Sequence, residues 1–491
     1  MLKRCICGLA LLATFSFVAG ARGEVRTANV YGDQMVLPRE VPIPVWGWAE
    51  VGESVEVAFD KQRKSATADS QGKWSLALDP LSASSRSREL KITGSKTASP
   101  VVFRDVLVGE VWLASGQSNM ATGAGTEAAD ADTPLVRFTA VESAYPGSPA
   151  ADLKSRCRWR NGSATTAPSC SGTALWFARR LQAELGVPVG VIISAVGGSR
   201  AEHWTRREIL EKTAGPDAYV AKILAEAKKA QAKPASADSV GKIPGHIVGT
   251  QEWIDGRLGG RFNGMIAPLA PFPFRGVLWY QGEDNAGDFA AYAALLPAMI
   301  ADWRAIWKRD LPFLIVQLPA YNHQRQPDGT TWAAMREKQA QIAREVPGCG
   351  LAVTFDNVDP DQLHPKNKRI VGDRLAAVAL RQIYLRSEFP VTPRFDSMTV
   401  AGKTIRLRFR DVGEGLVSRT GDKLKGFAIA GSDRRFIAAE ARLEGNEVIV
   451  SSDDVKEPVA IRYAWVNVPA VSLEDRSGSP LAPFRTDDWK P

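Results

Sequence analysis

The sequence predicts an α/β protein in which a central domain built on a parallel sheet lies between two β modules. From 109 to 388, apolar runs typical of buried strands alternate with segments of helical period, which favours a parallel sheet with helices on both faces. At 22–108 and again at 389–491, short alternating strands are separated by Gly and Pro turns, a pattern typical of antiparallel β modules. The length of 491 residues agrees with three folded parts, at about 150 residues for each.

Residues 1–21 have the pattern of a secretory signal peptide. Lys3 and Arg4 precede an apolar run at 5–18, and an A-x-A cleavage site ends at Ala21. The run is too short to cross a bilayer, which takes about 20 residues, and no later stretch is better suited. We therefore expect an exported protein, secreted or periplasmic, without a membrane span.

The elements of the central domain follow from hydrophobic periodicity. Leu175, Ala178, Leu181 and Leu185 repeat at helical spacing, and Gly186 supplies the stop. The predicted elements in chain order are a strand at 111–114, a helix at 174–185, a strand at 189–196, a helix at 218–233 within a polar insertion of about 206–250, a strand at 276–280, a helical face at 292–307, a strand at 313–318, a helix near 332–346, a strand at 351–355 and a helix near 366–384.

Charge and cysteine content exclude some functions. The formal net charge is +8, but basic and acidic residues are interleaved along the chain, so no nucleic-acid partner is expected. Cys157 and Cys170 close a short loop and could form a disulfide after export, or they could stay buried thiols. The acidic residues show no metal-ligand spacing and the chain has only four histidines, so we expect neither a catalytic metal nor a cofactor.

Polar loops follow four of the predicted strands. Because ligands bind beyond the carboxyl ends of parallel strands, these loops should meet at one edge of the sheet. They are GQSNM with Ser118, VGGSRAEHW with Gly197 and Gly198, YQGEDNA with Gln281, Glu283 and Asn285, and DPDQLHP with Asp361 and His364.

The first and last of these loops supply the parts of a serine hydrolase. A serine hydroxyl becomes a nucleophile when an imidazole takes its proton, and a carboxylate usually orients that imidazole. The D-x-x-H spacing allows one turn to present Asp361 and His364 to the same side. We therefore expect Ser118 to be the nucleophile, His364 the base and Asp361 its acid partner.

The other two loops supply donors for the oxyanion of a tetrahedral intermediate. The backbone N–H groups of Ser118 and Gly198 and the amide of Asn285 could converge on one oxygen. Gln281 and Glu283 are expected to form a buried polar scaffold under the site. Arg200 is either a contact for a sugar carboxylate or a solvated side chain.

Together, GQSNM, GGSRAEHW, WYQGEDNA and DQLHPKNK resemble the sialate O-acetylesterase family of secreted carbohydrate esterases, within the SGNH hydrolase superfamily. The resemblance implies an SGNH-like three-layer α/β/α core flanked by N-terminal and C-terminal β-sandwich-like modules. It also implies the roles given above to Ser118, His364, Asp361, Gly198 and Asn285. Some related esterases use the glutamate of the QGE loop to orient the histidine, which makes Glu283 an alternative acid.

The resemblance further implies removal of acetyl groups from an O-acetylated carbohydrate such as sialic acid. The chain departs from the family pattern at Ser199 and Arg200, where GGT and a small residue or proline are usual, and at His203. Because these changes fall near the expected substrate pocket, other substrates stay open. The alternatives are acetylxylan or another plant polysaccharide, a lipid ester, and a sugar-binding protein whose core is inactive.

Overall fold

The computed structural model describes residues 24–128, 132–232, 248–322, 329–357, 359–419, 421 and 423–489. The predicted signal peptide lies outside the described residues.

The N-terminal module contains two groups of strands. Its strands are β1 (Arg26–Thr27), β2 (Val36–Pro38), β3 (Ile43–Trp48), β4 (Ser54–Phe59), β5 (Gln62–Thr67), β6 (Lys73–Leu78), β7 (Ser84–Gly94) and β8 (Val101–Gly116). Strands β1, β3 and β6 form a separate antiparallel sheet, whereas β2, β4, β5 and β7 are joined through β8 to the central sheet. The predicted boundary between 108 and 109 thus falls inside β8, a continuous strand that pairs both with β7 and with strands of the central domain.

The central sheet continues beyond β8 with two strands that were not predicted and with the four predicted strands that remain. Its further strands are β9 (Thr133–Ala140), β10 (Arg160–Gly162), β11 (Val189–Ala195), β12 (Gly276–Tyr280), β13 (Phe313–Val316) and β14 (Cys349–Ala352). Their order is β10-β9-β11-β8-β12-β13-β14, and every neighbouring pair from β9 to β14 is parallel. The predicted parallel pairing of the central strands is therefore confirmed, with β8 at their middle. The sheet as a whole is mixed, because β10 pairs antiparallel with β9 and β7 pairs antiparallel with β8.

Helices connect these strands; the five longest of the described helices fall where helical period predicts them, and the shorter ones were not predicted. They are α1 (Ser118–Ala121), α2 (Gly172–Leu185), α3 (Arg207–Lys212), α4 (Pro216–Gln231), α5 (Gln251–Arg257), α6 (Phe289–Trp307), α7 (Thr331–Glu345) and α8 (Arg369–Gln382). The predicted helix at 174–185 corresponds to α2, which ends at Gly186 in the left-handed conformation. The helix predicted in the polar insertion corresponds to α4.

The C-terminal module is built from short antiparallel strands with a core of its own. These are β15 (Arg394–Ala401), β16 (Thr404–Arg410), β17 (Leu416–Ser418), β18 (Phe427–Ala430), β19 (Ile437–Ala438), β20 (Glu440–Glu444), β21 (Glu447–Ser451), β22 (Ala460–Tyr463), β23 (Leu473–Asp475) and β24 (Phe484–Arg485). Val353 and Phe355, which follow β14, pack in that core instead of extending the strand as predicted.

Within the part of the chain that the structure describes, one segment, Glu283–Trp307, has the length and apolar composition of a membrane-crossing helix. Its Leu295, Leu296, Met299 and Trp303 side chains lie in the main hydrophobic core together with β12 and β13. The segment therefore has the packing of a core helix, and its composition is weak evidence for a membrane span.

Candidate active site

The nucleophile turn begins where β8 ends. Gly116 has φ +134°, and a β-carbon there would lie 2.1 Å from the carbonyl oxygen of Tyr280, so no other residue fits without displacing β12. The N–H of Gln117 donates to that same carbonyl at 3.0 Å, and α1 starts at the next residue. This geometry turns the chain at the carboxyl end of the central strand and presents Ser118 there, half-buried.

Ser118 and His364 are in direct contact, although 246 positions separate them in the chain. The Oγ atom of Ser118 lies 2.7 Å from Nε2 of His364, within the distance required for proton transfer to a base. His364 is largely exposed, so the dyad opens to solvent. When the neutral ring carries its proton on Nδ1, Nε2 accepts the hydroxyl hydrogen of Ser118.

In the part of the chain that the structure describes, no carboxylate is hydrogen-bonded to the other ring nitrogen of His364. Asp361 is exposed, and among the described residues no hydrogen bond or ion pair joins it to His364. Glu283 is buried: its Oε1 atom accepts from the Nδ2 group of Asn119 at 2.6 Å, and its Oε2 atom has no hydrogen-bond partner among the described residues. The role of Asp361 as orienting acid, and that of Glu283 as its alternative, stay predictions.

Three predicted oxyanion donors lie on loops that border Ser118. In the described ranges, the backbone N–H groups of Ser118 and Gly198 donate to no other residue. A β-carbon on Gly197 would lie 3.6 Å from that of Ser118, and Gly198 has φ +65° and faces open space. This loop therefore presents free N–H groups beside the nucleophile without a side chain in the way.

Asn285 is held by a charged pair that sequence reasoning did not find. Its Nδ2 group donates to Oε2 of Glu202 at 2.9 Å, which leaves the second N–H of the amide for another acceptor. Glu202 is only 1% exposed and binds Arg200 at 2.9 Å. Arg200 also donates to the carbonyl of Asp284 and to the carboxylate of Asp288. These internal contacts favour a structural role for Arg200, which joins the second and third loops.

Gln281 forms the scaffold under the site that the sequence predicts. It is fully buried, and its Nε2 group donates to Oδ1 of Asn285 at 2.8 Å and to Oε1 of Gln117 at 3.1 Å. The Nε2 group of Gln117 in turn donates to Asp284 at 2.9 Å. The glutamines therefore fix the third loop against the nucleophile turn.

The described cysteines are buried free thiols, and the described acidic residues form no metal-ligand cluster. Cys157, Cys170 and Cys349 are buried free thiols, so the possible disulfide between Cys157 and Cys170 is not formed in this structure. Burial raises the pKa of Cys157 to about 12, which suppresses thiolate formation. In the described ranges, no group of three or more His, Cys, Asp or Glu side chains is arranged to hold a metal ion.

Comparison with known proteins agrees with this geometry. The family model of carbohydrate esterases described as sialic acid-specific acetylesterases matches residues 108–238 and 212–381. Sialate O-acetylesterase of Rattus norvegicus is 27% identical over 417 residues, which covers 75% of each chain, and that of Homo sapiens is 25% identical over 90% of this chain and 88% of its own. The crystal structure of a carbohydrate acetylesterase from Xanthomonas citri superposes with a TM-score of 0.82 at 33% identity, covering 95% of this chain and 100% of its own. The chain belongs to the sialic acid-specific acetylesterase family of carbohydrate esterases and is a carboxylic ester hydrolase.

Proposed function

We propose that this protein is an exported serine esterase that removes O-acetyl groups from sialic acid through an acetyl-serine intermediate. The observation that carries the proposal is the 2.7 Å contact between Ser118 Oγ and His364 Nε2. The relatives named sialate O-acetylesterase support sialic acid as the carbohydrate. The signal-peptide pattern of residues 1–21 supports export to a secreted or periplasmic location.

Each step of the proposed reaction uses groups that are described above. His364 Nε2 takes the hydroxyl proton as Ser118 Oγ attacks the acetyl carbonyl carbon, and the negative charge moves to the carbonyl oxygen. The N–H groups of Ser118, Gly198 and Asn285 stabilise that oxygen. The tetrahedral intermediate expels the sugar oxygen, which receives the proton from His364. Water, activated by the same imidazole, then releases acetate and restores Ser118.

The alternative of a sugar-binding protein with an inactive core is not supported. Membership of an esterase family makes the chain an enzyme. The predicted nucleophile and base are also in contact, which an inactive core would not require.

The activity should persist into mildly acidic solution. Partial burial, together with the nearby cation of Lys368, lowers the pKa of His364 from its ordinary value, which is about 6.5. A lowered pKa keeps the imidazole neutral, and therefore able to accept a proton, to a lower pH. We expect the acid limb of the kcat/KM profile for acetate release to fall below about pH 6.5. A limb above that value would show instead that a carboxylate stabilises the imidazolium.

Measurement of substrate preference tests the proposed substrate. We expect kcat/KM for acetate release to be roughly tenfold or more higher with O-acetylated sialic acid than with acetylxylan, with Ser118→Ala as the blank for both. A long-chain acyl ester, assayed in parallel, should be hydrolysed more slowly than either. Higher kcat/KM with acetylxylan would contradict the proposed substrate while leaving the esterase mechanism intact.

A further inference from the structure

A glutamate and a lysine side chain are buried close to the dyad, and burial raises the pKa of the glutamate, Glu283, to about 7. Glu283 is 7% and Lys368 is 3% exposed, and both belong to loops that carry predicted site residues. Desolvation of buried charges is costly unless hydrogen bonds compensate for it. The described contacts include no direct ion pair between the two; Asn119 lies between them instead.

Asn119 immediately follows Ser118 and is fully buried. Its Oδ1 atom accepts from Nζ of Lys368 at 2.5 Å, and its Nδ2 group donates to Oε1 of Glu283 at 2.6 Å. The same Nδ2 group donates to the carbonyl of Leu363 at 3.0 Å, the residue immediately before His364. One amide thus ties together the nucleophile turn, the third loop and the histidine loop.

We propose that Lys368 is a positioning residue that fixes the Asn119 amide and thereby keeps His364 against Ser118. The proposal rests on the Ser118–His364 mechanism given above. In the described contacts, the histidine loop is tied to the residue beside the nucleophile at two points, the Leu363 carbonyl and the Lys368 ammonium, which lie on either side of His364. Since no carboxylate among the described residues is hydrogen-bonded to the imidazole, these contacts fix the position of the base.

The positive charge of Lys368 also lowers the pKa of the base, His364. Burial lowers the pKa of Lys368 to about 8, against the opposing effects of the Glu283 and Glu127 carboxylates. Lys368 also faces the Tyr280 ring at 5.8 Å, and its backbone N–H donates to Glu127 at 3.4 Å.

The charged groups around His364 determine whether its pKa rises or falls when Lys368 is replaced. The other charged groups on its own loop are Asp359, which is half-buried, and Asp361 and Lys366, which are exposed. The third loop contributes the exposed Asp284 and the buried Glu283. The Lys368 ammonium disfavours the imidazolium of His364, so removing the cation should raise the pKa of the base.

The test compares Lys368→Met and Lys368→Arg with the matched control Lys366→Met, an exposed lysine two positions away. We expect Lys368→Met to lower kcat roughly 10- to 100-fold, because small misplacements of a catalytic group have effects of that size. KM should change less than about threefold, because Asn119, Glu283 and Lys368 are buried and do not line the open face of the site. The acid limb of kcat/KM should move to higher pH. Lys368→Arg, which keeps a cation, should leave the limb in place and lose less kcat, and Lys366→Met should change neither.

A double variant distinguishes the proposed positioning role of Lys368 from a purely structural role. Glu283→Gln combined with Lys368→Met removes both buried charges, so the uncompensated carboxylate does not limit folding, and thermal unfolding measures the remaining stability. We expect the double variant to fold and to keep a lowered kcat. Recovery of wild-type kcat in the double variant, or an unchanged kcat and acid limb in folded Lys368→Met, would overturn the proposal. Ser118→Ala distinguishes failure of the proposed mechanism from failure of the proposed role of Lys368. If Ser118→Ala stays active, the mechanism is wrong. If Ser118→Ala is inactive and Lys368→Met has normal activity, only the role of Lys368 is wrong.

Discussion

Ser118→Ala is expected to lower kcat for acetate release by roughly 10⁴-fold or more, because removal of a serine nucleophile has effects of that order. The substitution deletes the atom that lies 2.7 Å from the base and leaves the N–H groups of the oxyanion donors in place. Some activity above the uncatalysed rate should therefore remain. The assay is acetate release from O-acetylated sialic acid under saturating substrate.

The matched control for this variant is Ser397→Ala, which removes an exposed hydroxyl from the C-terminal module. It should retain wild-type kcat and KM. Because Ser118 is half-buried at the end of a turn fixed by Gly116, Ser118→Ala should also unfold at the wild-type temperature. A variant that folds normally and keeps more than about a tenth of the wild-type kcat would contradict nucleophilic attack by this serine.

His364→Ala is expected to lower kcat by roughly 10³-fold, within the range attributed to a positioned general base. The side chain is largely exposed, so its removal leaves space that small molecules can enter from solvent. Added imidazole should therefore restore part of the activity of His364→Ala, and it should restore none in Ser118→Ala. Equal rescue of both variants, or a loss of less than about tenfold in His364→Ala, would show that another group takes the proton.

The strands and their loops could be predicted because they depend on local pattern. Apolar runs ending in polar loops placed Ser118 and His364 at one edge of a parallel sheet, and the structure brings these two side chains together. The length of β8 could not be read from Val111 to Ala114 alone. It extends from Val101 to Gly116 because the same strand pairs with the N-terminal module and with the central sheet. Strand β9, which joins the sheet beside β11, was not predicted.

The partners of buried polar groups could not be predicted, because tertiary packing decides them. D-x-x-H spacing permits contact between Asp361 and His364, yet the loop leaves the carboxylate in solvent. Asn119 and Lys368 lie within the motifs GQSNM and DQLHPKNK, but no periodicity indicates that they meet. The same holds for Glu202, whose contact with Asn285 depends on the approach of two separate loops. For these residues, the sequence indicates a role only through their positions within the motifs.

Trapping of the acyl-enzyme tests the central claim most directly. Mixing the enzyme with an acetyl ester of a good leaving group, followed by acid quenching and peptide mass spectrometry, identifies the residue that carries the acetyl group. We predict a mass increase of one acetyl group on the peptide that contains Ser118, with fragmentation that assigns it to this residue, and no such increase in Ser118→Ala. An acetyl group on a different residue, or turnover without any acetylated peptide while Ser118→Ala remains active, would contradict the account.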